Sequence, residues 1–383
     1  MIAQAESPRR LGRRPVLDGL RGLAILLVML MHTDVLHNGY VGVDLFFALS
    51  GFLITSLLYE EWDRDGVIRL QRFYARRARR LLPALGLLIV LALIANAVCY
   101  RLTGWPFALK ALASAAFVSN WLAATGHASS LGSFNPTWSL AQEEQFYLLW
   151  PPVLLLVLRR GAGPRQVAIL LAAAIVLLLA LAPIGRGHGY GIYYSPAARS
   201  AELLAGCLAA VAWRHRLARL PQCALARLPA RMRSVAAAAA TGLRSTLAMV
   251  LVCLLMGVLL DRALPSVEAY LSACAIGIGL IVLLLGAPAS LPARALSLGP
   301  LRFLGRISYG LYLFHLLVRN LVYHYLPAGS VYANAALTFA ISIGLATVSW
   351  RLVESRLLHG SASVRQRKLR ERQRHHLQPA RAS

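Results

Sequence analysis

The chain has 383 residues, 58% of them hydrophobic, and a formal net charge of +25. A soluble protein of this length does not carry so much apolar sequence, so the expected fold is all-α, a polytopic membrane bundle of about ten transmembrane helices. The charges lie between apolar segments, which makes them topological signals, and no nucleic-acid partner is expected.

The first apolar stretch, "LDGLRGLAILLVMLMH" (17–32), follows Arg9, Arg10, Arg13 and Arg14. It is too long for the apolar core of a signal peptide and has no small-residue cleavage site behind it, so it should remain as the first span. It carries Arg21 and His32, eleven positions apart. At about 100° per residue the two share one face and lie roughly 16 Å apart along the axis. Alone, each is as well explained by snorkelling or core packing. Together in one span they point to a cavity or pathway.

The second span, "GYVGVDLFFALSGFLITSLL", places Asp44 near its outer end, close to His32 if the turn at 37–40 is tight. Ser50 and Gly51 fall mid-helix, where close helix packing competes with a site role. "RLQRFYARRARRLLPAL" then groups Arg76, Arg77, Arg79 and Arg80 on the inner side. Arg77 and Arg80 share a face, and arginine forks suit phosphate. A merely topogenic loop explains them equally well. The stretch 105–123 is apolar but short, and is expected to be re-entrant or interfacial.

The fourth span opens "NPTWSLAQEEQFYLLWPP", with Glu143 and Glu144 inside its outer end. Adjacent carboxylates there must be exposed, paired or protonated. Arg199 and Glu202 form an i,i+3 pair at the start of the sixth span, read first as an internal ion pair. The ninth, "LGRISYGLYLFHLLV", carries Arg306 on the inner side and His315 mid-helix, the latter read as structural.

The spans run roughly over 18–36, 41–59, 81–100, 138–157, 167–184, 198–213, 245–260, 267–286, 303–325 and 331–351. With the N-terminus in the cytoplasm, about thirty Lys and Arg fall inside and about four outside. Both termini are therefore expected in the cytoplasm of a cell-membrane protein. Residues 1–16 form a basic N-terminus, 17–358 the membrane domain and 359–383 a basic, disordered tail with affinity for anionic headgroups. Five scattered cysteines suit buried helical positions and give no metal spacing, so no metal and no permanently bound cofactor are expected.

Two polar layers result. The inner one is basic: Arg21, Arg76, Arg77, Arg80 and Arg306. The outer one mixes His32, Asp44, Glu143, Glu144, Arg199 and Glu202. This suits a phosphate-bearing donor entering from the cytoplasm, with a base above it.

The stretches "LDGLRGLAILLVMLMH", "GVDLFFALSGFLIT", "FYARRARRLLPAL", "WSLAQEEQFYLLWP", "GRISYGLYLFH" and "RLVES" together resemble the acyltransferase-3 family of integral membrane acyltransferases, in family order from Leu17 to Ser355. The resemblance implies ten core spans and transfer of an acyl group, often acetyl, from acyl-coenzyme A. The acceptor would be a hydroxyl of a surface polysaccharide, lipopolysaccharide, other lipid-linked glycan or small molecule. It implies that Arg21 and His32 are the family's Arg-x10-His pair, Arg77 and Arg80 its donor motif, and Glu143 and Glu144 its acidic motif. Arg356 stands where relatives often have Pro, and no room is expected for the esterase-like domain that many relatives add.

In the expected mechanism His32 is general base on the acceptor hydroxyl. Asp44, Glu143 or Glu144 would orient its imidazole. Transfer is either direct or through an acyl-histidine. Two rivals use the same buried charges: a transporter or flippase for an anionic lipid or glycan, and a non-catalytic membrane sensor.

Overall fold

The computed structural model describes residues 10–12, 14–100, 105–127, 129–182, 193–215, 232, 267–327 and 329–354. Among these, all regular structure is helical. The α-helices are α1 (Pro15–His32), α2 (Val41–Asp65), α3 (Leu70–Ala95), α4 (Trp105–Ala115), α5 (Ser119–Leu122), α6 (Thr137–Arg159), α7 (Pro164–Leu181), α8 (Pro196–Arg214), α9 (Val267–Gly286), α10 (Leu291–Leu296), α11 (Gly299–Tyr325) and α12 (Val331–Ser349). Among the described residues, five helical segments are long and apolar enough to cross a bilayer: Pro15–His32, Val41–Asp65, Leu70–Cys99, Pro164–Leu181 and Val331–Leu352. Helices α6, α8, α9 and α11 also have spanning length, at 23, 19, 20 and 27 residues. The expected span 245–260, most of the basic loop 214–244 and the tail 359–383 lie outside the described residues.

Contacts between side chains fix the helix directions. Helices α1 and α11 run parallel: Arg21 meets Ser308, His32 meets His315, and Tyr323 donates to the Thr33 carbonyl. Helices α2 and α8 run parallel through Asp44–Arg199 and Asp63–Arg214. Helix α6 follows the same direction as α2, because Ser50 meets Glu143 and Thr55 meets Trp150. Against α3, however, α6 is antiparallel: Tyr74 reaches the Leu148 carbonyl and Arg77 reaches Glu144.

That last relation bears on residues 105–123. A full crossing there would make α3 and α6 parallel. Instead α4 has 11 residues, about 16 Å of rise, roughly half the apolar thickness of a bilayer. The chain breaks at Phe117, whose φ is 55°. Polar side chains dock the segment onto α6: Ser114 and Ser119 on Thr137, and Asn120 on Gln142 and Gln145. Re-entrant backbone is tolerated at membrane depth when protein satisfies it in this way.

Helix α2 is the centre of the bundle, with 78% of its most apolar stretch buried, against 28% for the α12 segment and 11% for α7. The outer helices turn large apolar side chains outward, among them Ile169, Val176, Ile341 and Val348. Two crossings are tight enough to require glycine. A Cβ on Gly22 would stand 2.0 Å from the Leu301 carbonyl oxygen, and one on Gly305 would stand 1.7 Å from that of Asp18. Between α2 and α8, Gly51 and Gly206 make the equivalent approach to Leu203 and Ala48. In lipid, where apolar burial gives helices little reason to associate, such backbone contact supplies much of the packing energy.

Candidate active site

Helix α1 delivers Arg21 and His32 three turns apart on the side that faces α11. Helix α11 answers with Ser308, Tyr312 and His315, at i, i+4 and i+7 along one stripe. Arg21 donates to the Ser308 hydroxyl through Nη2 at 3.1 Å and Nε at 3.4 Å. His32 closes the helix as its last residue, and its ring centroid is 4.9 Å from that of His315. The Tyr312 ring lies 5.7 Å from His315, and its hydroxyl is 2.6 Å from Ser139 Oγ. Tyr312 thus stands between the level of Arg21 and the level of the two histidines.

At the Arg21 level a cavity of about 60 Å³ is lined by Arg21, Phe46, Ser50, Ser139, Glu143, Ser308 and Tyr312, among others. That volume holds a few ordered waters or one small polar group. Glu143 is held in its wall by two donors: Ser50 Oγ to Oε1 at 3.1 Å and the Tyr147 hydroxyl to Oε2 at 3.0 Å. A carboxylate that only accepts, opposite a guanidinium, makes this a polar pocket without a large uncompensated charge.

The adjacent Glu144 points elsewhere. It accepts from Arg77 Nη2 at 2.8 Å, and the Arg77 guanidinium lies 3.4 Å from the centroid of the Tyr147 ring. Arg80 is in electrostatic range of Arg21 and makes no ion pair with a described residue. Arg76 is exposed and 4.0 Å from Glu61. Arg306 is exposed on α11 and turns back to the Arg302 carbonyl at 3.4 Å. Of the expected basic layer, Arg21 lines the pocket, Arg80 lies within electrostatic range of Arg21, Arg77 is committed to Glu144, and Arg76 and Arg306 lie at the bundle surface.

Asp44, Arg199 and Glu202 form a separate, fully buried cluster. Arg199 Nη1 reaches Asp44 Oδ1 at 2.5 Å and Glu202 Oε1 at 2.7 Å, and its Nε donates to the Tyr193 carbonyl at 2.7 Å. The i,i+3 ion pair is as the spacing suggested, with Asp44 added from α2. The Arg199 guanidinium also packs near the rings of Tyr193 and Trp138. Phe47 stands between this cluster and the cavity, so its charges support the wall and do not line it.

None of the three carboxylates expected to orient His32 makes a hydrogen bond to it. Asp44 is bound to Arg199, Glu143 to Ser50 and Tyr147, and Glu144 to Arg77. The group in contact is His315 Nε2, at 3.2 Å from His32 Nδ1. Residues that spacing did not single out are Ser139, Tyr147, Ser308 and Tyr312. The α11 members had a signal, since "SYGLYLFH" places Ser, Tyr and His on one helical face.

A family model described as an acyltransferase domain matches residues 14–353. A peptidoglycan O-acetyltransferase, OatA, of Listeria monocytogenes is 31% identical over 367 residues, covering 89% of this chain and 55% of the relative. An O-acetyltransferase OatA of Staphylococcus aureus is 31% identical over 363 residues, covering 91% of this chain and 57% of the relative. The chain thus spans little more than half the length of these relatives. No solved structure matches it. A multi-pass helical bundle with this continuous match from its first helix to its last belongs to the acyltransferase-3 family.

Proposed function

We propose that this protein is a membrane O-acetyltransferase that moves an acetyl group from acetyl-coenzyme A to a hydroxyl of a cell-wall glycan, of the peptidoglycan type named for its Listeria relative. The observation that carries the reading is the pairing of α1 with α11. It sets a guanidinium and an imidazole three turns apart on one seam, with a hydroxyl-lined cavity beside the guanidinium. The relatives' names support the acceptor class.

The basic end of the bundle faces the cytoplasm in this reading, by the bias of Lys and Arg toward that side. Arg21 and Arg80 hold donor phosphates there. The extended pantetheine arm is about 15 Å long, which matches the rise from Arg21 to His32. Hydroxyls of Ser139, Ser308 and Tyr312 offer hydrogen bonds along its course. His32 Nε2 takes the proton from the acceptor hydroxyl as its oxygen attacks the thioester carbonyl carbon. The C–S bond then breaks, and the proton returns from His32 to the departing thiolate. An ester, free coenzyme A thiol and a neutral imidazole result.

The test is transfer of label from radiolabelled acetyl-coenzyme A to soluble peptidoglycan glycan fragments by the purified full-length protein. Alkali-labile label on the glycan is the expected result, lost in His32→Gln. No transfer by folded protein, or undiminished transfer by His32→Gln, overturns the reading.

A further inference from the structure

We propose that His315 is a positioning residue for His32, so that the base is supported by a second imidazole in place of a carboxylate. This rests on the reading of His32 as the base.

The hydrogen positions follow from the partners. A backbone carbonyl only accepts. His315 Nδ1 lies 2.8 Å from the Tyr312 carbonyl oxygen and 3.2 Å from that of Leu311, so Nδ1 carries the hydrogen. The neutral ring then has its lone pair at Nε2. His32 Nδ1 lies 2.9 Å from the Val28 carbonyl oxygen, so it too carries a hydrogen. That same N–H is 3.2 Å from the His315 Nε2 lone pair. One donor is thus shared by two acceptors, and His32 Nε2 is left bare. It is the nitrogen a general base needs free.

The arrangement also receives the charge that forms. When His32 Nε2 takes a proton, its Nδ1–H becomes the donor of a charge-assisted bond to His315 Nε2. A carboxylate would do this more strongly but would bring its own negative charge into the span. Both rings cannot be cationic at once, because two N–H groups would then face each other across 3.2 Å. The pair accepts one proton. His315 is rigid enough for the task, being 1% exposed and anchored by its own helix at Nδ1.

Three variants of the full-length protein test this, assayed with radiolabelled acetyl-coenzyme A and soluble peptidoglycan glycan fragments. His315→Gln places an amide oxygen near the position of Nε2. His315→Asn reaches only the position of Nδ1, and His315→Leu fills the space without an acceptor. His315→Asn and His315→Leu should lose about 10- to 100-fold in kcat, with KM for acetyl-coenzyme A changed less than about threefold. His315→Gln should recover most of that loss. Wild-type kcat in His315→Leu, or a loss in His315→Gln equal to that in His315→Leu, overturns the proposal. If His315→Leu does not fold, the contrast between Gln and Asn decides. His32→Gln, measured in parallel, separates the two levels. Dead His32→Gln with normal His315 variants sinks this inference alone, whereas active His32→Gln sinks the base assignment as well. A readout free of donor and acceptor is the His32 Nδ1 proton shift in histidine-labelled protein. It should move in His315→Leu, and no movement refutes the contact.

Discussion

Arg77 has two claims on it, an ion pair and a donor phosphate, and a double-mutant cycle separates them. Its guanidinium and the Glu144 carboxylate are 2.8 Å apart, with side chains 17% and 16% exposed, and Tyr147 covers one face of the guanidinium. Two charges about 4 Å apart attract by roughly 4 kcal/mol at an effective dielectric of about 20. Desolvation offsets much of this, so the pair's net value is smaller, but removing one partner strands the other and costs about 3–5 kcal/mol. Arg77→Met and Glu144→Gln should therefore each lower the free energy of unfolding, measured by titration with denaturing detergent. The double variant should recover part of the sum, with a coupling energy of about 1–3 kcal/mol. Coenzyme A affinity gives the other half of the answer. If Arg77 also grips phosphate, affinity falls roughly ten- to a hundredfold in Arg77→Met and stays low in the stabilised double variant. Strictly additive stability losses would refute the ion-pair reasoning. Affinity restored in the double variant would show that Arg77 acts only by holding Glu144.

Replacing His32 by Gln should reduce transfer by roughly 10²–10⁴-fold while coenzyme A binding persists, and near-normal turnover removes His32 from the mechanism. Gly305→Val should abolish accumulation of folded protein, because a Cβ there meets the Asp18 carbonyl oxygen at 1.7 Å. Gly310→Ala is the control, since its Cβ would meet Ala346 at 3.3 Å and needs only a slight shift. Equal yields of the two variants would refute the close crossing. Cysteines placed at Gly66 and Ala162 should label from one side of the membrane and a cysteine at Gly329 from the other, with Gly66 on the cytoplasmic side. Labelling of all three from one side breaks the helix directions described above.

Hydropathy made the bundle legible, because crossing a bilayer demands long apolar helices whatever they pack against. Periodicity also placed Arg21 and His32 on one face, since both lie on a single unbroken helix. Contacts between helices were not legible in the same way. Asp44 was expected near His32 from the shortness of the intervening turn, yet it points to α8, where Arg199 offers a full charge. Glu143 and Glu144 are neighbours in sequence but point about 100° apart on a helix, so one enters the cavity and the other meets α3. His315 looked like a core residue because nothing within α11 shows that α1 lies against it. The stripe of Ser308, Tyr312 and His315 becomes informative only once the parallel pairing with α1 is known.

The seam between α1 and α11 also sets the order in which the site can come into being. Arg21 and Ser308 are 287 positions apart, and His32 and His315 are 283 apart. Ribosomes add about 5–20 residues per second, so α1 waits roughly 15–60 s for its partner to be synthesised. During that interval Arg21 has no Ser308, and the glycine face of α1 has no helix to meet. A guanidinium within a span costs about 2.5–3.5 kcal/mol at the helix centre and less toward its end, so the partners supplied by later helices matter, and Ser308 is the last of them to arrive. Truncation just before Gly299 would leave a chain that holds most of its helices but only the α1 half of the seam.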